Sequence, residues 1–230
     1  RTAVENQMGA KLLPAAPEDA ITEEGKSDHL GIHAQKQPGM NYIGMHVPVG
    51  HFYADDMMEF ARLAEVYGNG EIRLTVEQHV LIPNVPDSRL GAFLQEPVLQ
   101  KFSPEPMTLS RAVVSCTGAR FCNFALIDTT QRADALGKKL DSLLTADQPV
   151  RMHWTGCPNS CGQPQGADIG FLGTKARKDG KSVEAVDIYM GGKVGKHAQL
   201  GERVMKAVPC EDLEEVVSGL LKEKFGATAK

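Results

Sequence analysis

Four of the five cysteines in this 230-residue chain fall in two close pairs. Cys116 and Cys122 bracket C-T-G-A-R-F-C, and Cys157 and Cys161 bracket C-P-N-S-C, with 34 residues between the pairs. A C-x5-C pair followed by a C-x3-C pair offers four soft, anionic ligands, a set that prefers zinc or iron–sulfur. Structural zinc sites use tighter knuckles, from C-x2-C to C-x4-C, and the first pair lies outside that range. A cubane cluster spreads its irons apart and tolerates wider, unequal spacings. Gly118, Gly156 and Gly162 allow close backbone approach, and Pro158 stiffens the second loop. Spacing thus favours an iron–sulfur cluster, with zinc, buried thiols or disulfides as the remaining readings. The fifth cysteine, Cys210, sits apart at a helix start and reads as a bystander.

Other residues carry weaker chemistry. The turn-like G-G-K-V-G at Gly191 to Gly195 has N–H groups for an anion but lacks the full P-loop pattern. Lys175, Arg177, Lys178, Lys181, Lys193 and Lys196 read as a solvated basic loop or as a surface for carboxylates or an acidic partner. The histidines His46, His51, His79, His153 and His197 have no metal-site spacing and read as packing or surface groups. Asp55 and Asp56 suit helix capping better than paired acid–base work. Trp154, beside Cys157, reads as core.

These groups need elements to position them. Y-I-G-M-H-V alternates as a strand does, with Ile43, Met45 and Val47 on one face. Asp55 is placed to cap a helix whose Met57, Phe60, Ala61 and Ala64 face a sheet, and which ends at Gly68 and Gly70. I-R-L-T-V alternates again, which predicts Ile72, Leu74 and Val76 buried and Arg73, Thr75 and Glu77 on the opposite face. Strand, helix and strand from about Gly31 to Pro86 predict a small α+β sandwich. A short helix around Arg89 to Leu99 leads to a second unit. There R-A-V-V-S runs as a strand into Cys116, and a helix from about Gln131 puts Leu136, Leu140, Leu143 and Leu144 on one side. V-R-M-H-W is a strand delivering Thr155, Gly156 and Cys157. A-D-I-G-F-L-G and V-E-A-V-D-I-Y-M are two further strands. Pro209 precedes a last helix with Leu213, Val216, Val217, Leu220 and Leu221 as its apolar stripe and Gly226 as its stop. Both cysteine pairs therefore begin where a strand gives way to a loop.

The composition is that of an ordinary globular chain. Its formal net charge of -4 argues against a general nucleic-acid binder. No apolar run approaches the roughly 18 residues of a membrane span. The N-terminus lacks a secretory pattern, and available thiolates suit a reducing compartment, cytoplasm or plastid stroma. The chain opens R-T-A-V-E without an initiator methionine, and Met8 to His29, with Pro14 and Pro17, shows no sustained period. That segment reads as a linker or crossover, and the chain as a fragment or one piece of a longer protein.

H-W-T-G-C-P-N-S-C-G-Q and S-C-T-G-A-R-F-C-N-F-A together resemble the paired cysteine motifs of the sirohaem-containing nitrite and sulfite reductases. G-I-H-A-Q-K-Q-P-G-M-N-Y-I-G, R-L-T-V-E-Q-H-V-L-I-P-N and V-D-I-Y-M-G-G-K-V-G are similar to the C-terminal half of the ferredoxin-dependent assimilatory nitrite reductases. The resemblance covers nearly the whole chain from about Leu30. It implies a [4Fe-4S] cluster on Cys116, Cys122, Cys157 and Cys161, with Cys161 also bridging to the iron of a sirohaem. It implies Asn159 near the sirohaem, and its buried carboxylates call for cations, for which Arg73, Arg120, Lys175 and Lys193 are the candidates. The implied reaction is six-electron reduction of nitrite to ammonium with ferredoxin as donor. The implied fold is α+β, one repeat of a pseudo-duplicated arrangement. Residues 1–30 would be a linker or crossover, 31–100 a ferredoxin-like half-domain, and 101–230 the sirohaem and [4Fe-4S]-binding domain.

An N-terminal half, or a complementary chain, would hold the distal anion-binding residues. The rival functions are half of a sulfite reductase, an iron–sulfur electron carrier without sirohaem, and a structural zinc module. Sulfite enzymes carry C-P-N-G-C-A where this chain has C-P-N-S-C-G-Q, which favours nitrite. Two positions depart from the family: His51 stands where arginine is expected, and His79 where asparagine is usual.

Overall fold

A computed structural model describes residues 2–13, 28–195 and 197–230. Pro14 and Pro17 of the expected linker, and Lys196 of the basic segment, lie outside the described residues. Helix α1 (Thr2–Met8), which buries no residue, is an element the sequence pattern does not predict.

The first lobe contains β1 (Gly31–Ala34), β2 (Met40–Met45), α2 (Ala54–Tyr67), β3 (Arg73–Leu74) and β4 (Val80–Pro86). The sheet order is β1-β2-β4-β3, every neighbouring pair antiparallel. β4 therefore lies between β2 and β3, which α2 connects: this is the split βαβ arrangement of a ferredoxin-like unit. Ile43, Met45, Val80, Ile82 and Val85 on the sheet close over Phe60, Leu63 and Ala64 of α2.

Several local expectations change. β3 is only two residues long, and Ile72, Leu74 and Val76 are 38, 71 and 89% exposed rather than buried. Alternation assigns residues to two faces, but at this sheet edge no element among the described residues covers the apolar one. Met57 points outward as well. The cap of α2 comes from Asp56, not Asp55: its carboxylate accepts the Tyr53 N–H at 2.8 Å and also binds Lys101. The helix expected over Arg89–Leu99 is α3 (Asp87–Phe93) followed by a 3-10 turn at Pro97–Gln100, since Pro97 cannot donate into a continuing helix.

The second lobe comprises β5 (Val113–Ser115), α4 (Thr129–Leu143), β6 (Leu144–Thr145), β7 (Met152–Thr155), β8 (Ile169–Lys178), β9 (Lys181–Met190), β10 (Glu202–Pro209), α5 (Leu213–Phe225) and β11 (Thr228–Ala229). The main sheet runs β10-β9-β8-β7-β5, with β5, β7 and β8 parallel and β9 and β10 antiparallel. Met152, Trp154, Ile169, Phe171, Val186 and Ile188 form its inner face, packed against Leu136 and Leu140 of α4 and Leu213, Val217 and Leu221 of α5. Leu143 is turned outward, away from the stripe assigned to it.

The predicted basic loop is a hairpin. β8 and β9 pair over their whole length, so Lys175, Arg177, Lys178 and Lys181 stand on strands, and Asp179 and Gly180, both at positive φ, make the turn. β10 escapes the sequence reading because two register shifts and Ala207, at φ 51°, break its alternation.

Candidate metal centre

The parallel pairing of β5 with β7 sets Ser115 opposite Trp154, so both chains leave the sheet at the same carboxyl edge. Ligand sites in such sheets form beyond the carboxyl ends of the strands. Cys116 leaves β5 there, and Cys157 lies two residues past the end of β7. The pairing brings the two cysteine pairs together although 34 residues separate them.

The first loop is fixed at both ends. Cys116 N–H donates to the Trp154 carbonyl at 2.9 Å, and the Thr129 hydroxyl donates to the Cys116 carbonyl at 2.7 Å. Cys116 Sγ accepts the Gly156 N–H at 3.2 Å. Cys122 N–H turns back to the Gly118 carbonyl at 3.0 Å, and Leu126 N–H reaches the Gly156 carbonyl at 2.7 Å. Gly118 is at φ 70°, and a Cβ there would meet Thr129 Oγ1 at 2.5 Å.

The second loop is tighter still. Ser160 and Gln163, at φ 56° and 52°, bracket Cys161 in left-handed conformations, where strain often gathers at functional sites. A Cβ on Gly162 would lie 2.0 Å from the Trp154 carbonyl oxygen. That oxygen is therefore a common seat for both loops. His153 Nδ1 meets the Gly162 carbonyl at 3.0 Å, and its pKa is lowered by burial, which keeps the ring neutral and donating. His153, read from sequence as packing or surface, thus anchors the loop that carries Cys161.

The candidate cations divide. Arg120 is exposed inside the first loop, its guanidinium 5.2 Å from the Phe121 ring, and Asn159 is exposed in the second loop. Lys193 lies in the glycine turn that packs against the second loop: Gly201 N–H bonds the Gln165 carbonyl at 2.7 Å, and Gly192 sits where a Cβ would strike Gln165 O. Lys175 is exposed three residues beyond Leu172, the last partner of β7, and is registered opposite Glu184. Arg73 is exposed on β3 and paired with Glu71 at 2.6 Å.

Cys210 stands apart with a half-buried thiol whose pKa burial pushes up to about 11, which makes it unreactive. It lines a cavity of about 580 Å³ between α4 and α5, with Arg132, Leu136 and Trp154, that includes none of the paired cysteines.

All five cysteines are free thiols, so the disulfide reading does not hold here. Among the described residues, no three His, Cys, Asp or Glu side chains converge on the position of one ion. The two cysteine loops start at one edge of the sheet, and thiolate donors are of the type that suits a multi-iron cluster. Thr155 is wholly buried at the end of β7, and its hydroxyl has no partner among the described residues, as a donor suited to a cluster sulfur would. Cys157 is buried and Cys161 exposed, so the two halves of C-P-N-S-C face different surroundings.

Fold and site together define a protein of two lobes whose paired cysteines meet at one sheet edge, and its family is recognisable. Residues 33–99 match the Nitrite/Sulfite reductase ferredoxin-like half domain, and residues 107–222 match the Nitrite and sulphite reductase 4Fe-4S domain. The chain belongs to this nitrite and sulfite reductase family.

Among individual relatives, it is 56% identical over its full length to the ferredoxin–nitrite reductase of Synechococcus elongatus, covering 44% of that protein. It is 51% identical to the chloroplastic ferredoxin–nitrite reductase of Oryza sativa, covering 39% of it. The NirA protein of Mycobacterium tuberculosis superposes with a TM-score of 0.84 at 26% identity, over 96% of this chain and 42% of that one. Dissimilatory sulfite reductase I shares the fold, with a TM-score of 0.62 at 12% identity, over 80% of this chain and 63% of that one. The chain spans less than half the length of the curated relatives it matches. Among the described residues, no helix is long and apolar enough to cross a membrane.

Proposed function

We propose that the chain is the cluster-bearing half of a nitrite reductase. The reaction is reduction of nitrite by six electrons and eight protons to ammonium and two waters, with ferredoxin as the donor. The observation that carries this reading is the delivery of both cysteine pairs to one carboxyl edge by parallel β5 and β7. Cys116, Cys122, Cys157 and Cys161 would hold a [4Fe-4S] cluster, and Cys161 would also serve a sirohaem. Bound there, the two cofactors would supply one-electron redox chemistry and an iron centre for the anion.

The protein's part is to hold and insulate. The Gly156 N–H and the Thr155 hydroxyl offer hydrogen bonds to sulfur. His153 and Gly162 fix the height of Cys161 above the sheet. Exposed Phe121, Phe124 and Leu126 on the first loop, with Arg120, give a surface both apolar and cationic, suited to a macrocycle that carries carboxylates. Arg73, Lys175, Lys193 and Asn159 are the further groups we assign to that cofactor. The distal residues that hold nitrite belong to the remaining portion of the protein, for which the relatives' greater length leaves room. A plastid stroma or cytoplasm suits a ferredoxin partner.

The optical spectrum, with total iron and zinc, tests the proposal on the purified chain. Broad cluster absorption with four irons per chain is expected, and sirohaem bands with a fifth iron when the second cofactor is retained. Colourless protein with stoichiometric zinc would overturn it.

A further inference from the structure

β5 is the edge strand of the main sheet, and its free edge lies next to Cys116. An open edge is an unsatisfied row of peptide groups that natural sheets cover. Here one rung is filled by a side chain from the other lobe. Gln78 Nε2 donates to the Ser115 carbonyl at 2.7 Å, and Gln78 Oε1 accepts the Ser115 N–H at 3.0 Å. The primary amide reproduces the donor and acceptor of a neighbouring strand.

We propose that Gln78 is a positioning residue for Cys116, setting the cluster ligand from the ferredoxin-like lobe. The Ser115 carbonyl belongs to the same planar peptide unit as the Cys116 N–H. Gln78 holds that plane by its oxygen, and the Trp154 carbonyl holds it by its nitrogen at 2.9 Å. Rotation of the plane, which would swing the Cys116 side chain, must break one of these bonds. Ser115 is 2% exposed, so water does not replace a lost partner without cost.

The backbone around Gln78 is shaped for the task. Gln78 adopts φ 68°, in the turn between β3 and β4 where Thr75 accepts its N–H at 3.1 Å. Gly50, also at positive φ, lies so close that a Cβ there would sit 2.9 Å from that of Gln78. A left-handed glutamine beside an obligate glycine is a costly local arrangement, and the clamp on Ser115 is what it secures.

The proposal has one part independent of the cluster and one that rests on the function proposed above. Gln78→Met keeps the shape and removes both bonds. In the metal-free chain, the Ser115 amide should then exchange about five- to tenfold faster, the change expected for one lost hydrogen bond. Cys116 should alkylate faster relative to Cys161 by residue-resolved mass spectrometry. In cluster-loaded protein, the electron paramagnetic resonance signal of the reduced cluster and its midpoint potential should both shift.

Faster Ser115 exchange with unchanged Cys116 alkylation and unchanged cluster signals would overturn the positioning role, leaving a tether between lobes. Protein that binds no cluster in parent and variant alike counts against the proposed function, while the metal-free measurements still decide the clamp. Should Gln78→Met not fold, Gln78→Glu serves. At neutral pH its carboxylate still accepts the Ser115 N–H but repels the Ser115 carbonyl, so the ratio of Cys116 to Cys161 alkylation should rise above the parent value. A ratio equal to the parent's would sink the idea.

Discussion

Thr155, two positions before Cys157, is fully buried, and its hydroxyl has no partner among the described residues. A buried donor without an acceptor costs on the order of 1 kcal/mol or more, so it persists only where something else repays it. Thr155→Val removes the hydroxyl at nearly constant shape. The metal-free chain should match its parent in urea unfolding or gain about 1 kcal/mol. The loaded chain should show a more negative cluster potential, because a hydrogen bond to sulfur stabilises the reduced form. A potential equal to the parent's would mean that the hydroxyl does not face the cluster. No pattern in the sequence singles out Thr155 from other strand-end threonines. What marks it is burial without a partner.

At the scale of elements, the two cysteine loops are held by the end of one strand. The Trp154 carbonyl receives the Cys116 N–H at 2.9 Å and leaves no room for a side chain at Gly162. Gly162→Ala should therefore cost about 1–3 kcal/mol in urea unfolding and lower the iron content per chain, since relief of the clash moves Cys161. Gly91→Ala is the matched control: it lies in α3 with nothing within 4 Å of its added Cβ, so it should be neutral or stabilising with iron unchanged. The helices of this lobe were readable because their stripes are long and periodic. β10 was not, since its bulges break the period, and β3 read as longer and more buried than it is because alternation alone does not say which face is covered.

For the whole molecule, the junction between lobes decides stability toward acid. His46 and His79 are buried there, with ring centroids 5.1 Å apart, and His46 Nε2 and His79 Nδ1 have no partner among the described residues. His79 Nε2 donates to the Arg111 carbonyl at 3.2 Å, while the Arg111 guanidinium grips Asp28 at 2.7 Å. Burial lowers both histidines to about 4, and the His46 charge adds to the difficulty of charging His79. The unfolded chain, with histidine near 6.5, binds more protons between those values. Stability is thus fully present above pH 6.5 and falls as pH drops toward 4, by up to about 1.4 kcal/mol per pH unit for each histidine. Urea midpoints across that window should show the slope, and His46→Leu should flatten it. A slope unchanged in the variant would place the titrating group elsewhere. His79 stands where the family resemblance leads one to expect asparagine, so this acid sensitivity is tied to a departure visible in the sequence.

The sequence by itself narrowed the chemistry: thiolate type and spacing favour an iron–sulfur centre over zinc, and the residues flanking each cysteine carry the family resemblance. It also determined most strands and helices, because periodicity is a local property of burial. Only the tertiary structure decided how the site is held. Parallel pairing of β5 and β7, the Trp154 carbonyl shared by two loops, the His153 anchor and the Gln78 clamp all join residues far apart in the chain. Such contacts arise from register and packing between elements. Their residue types are common polar groups, so nothing local distinguishes them until the strands that carry them are side by side.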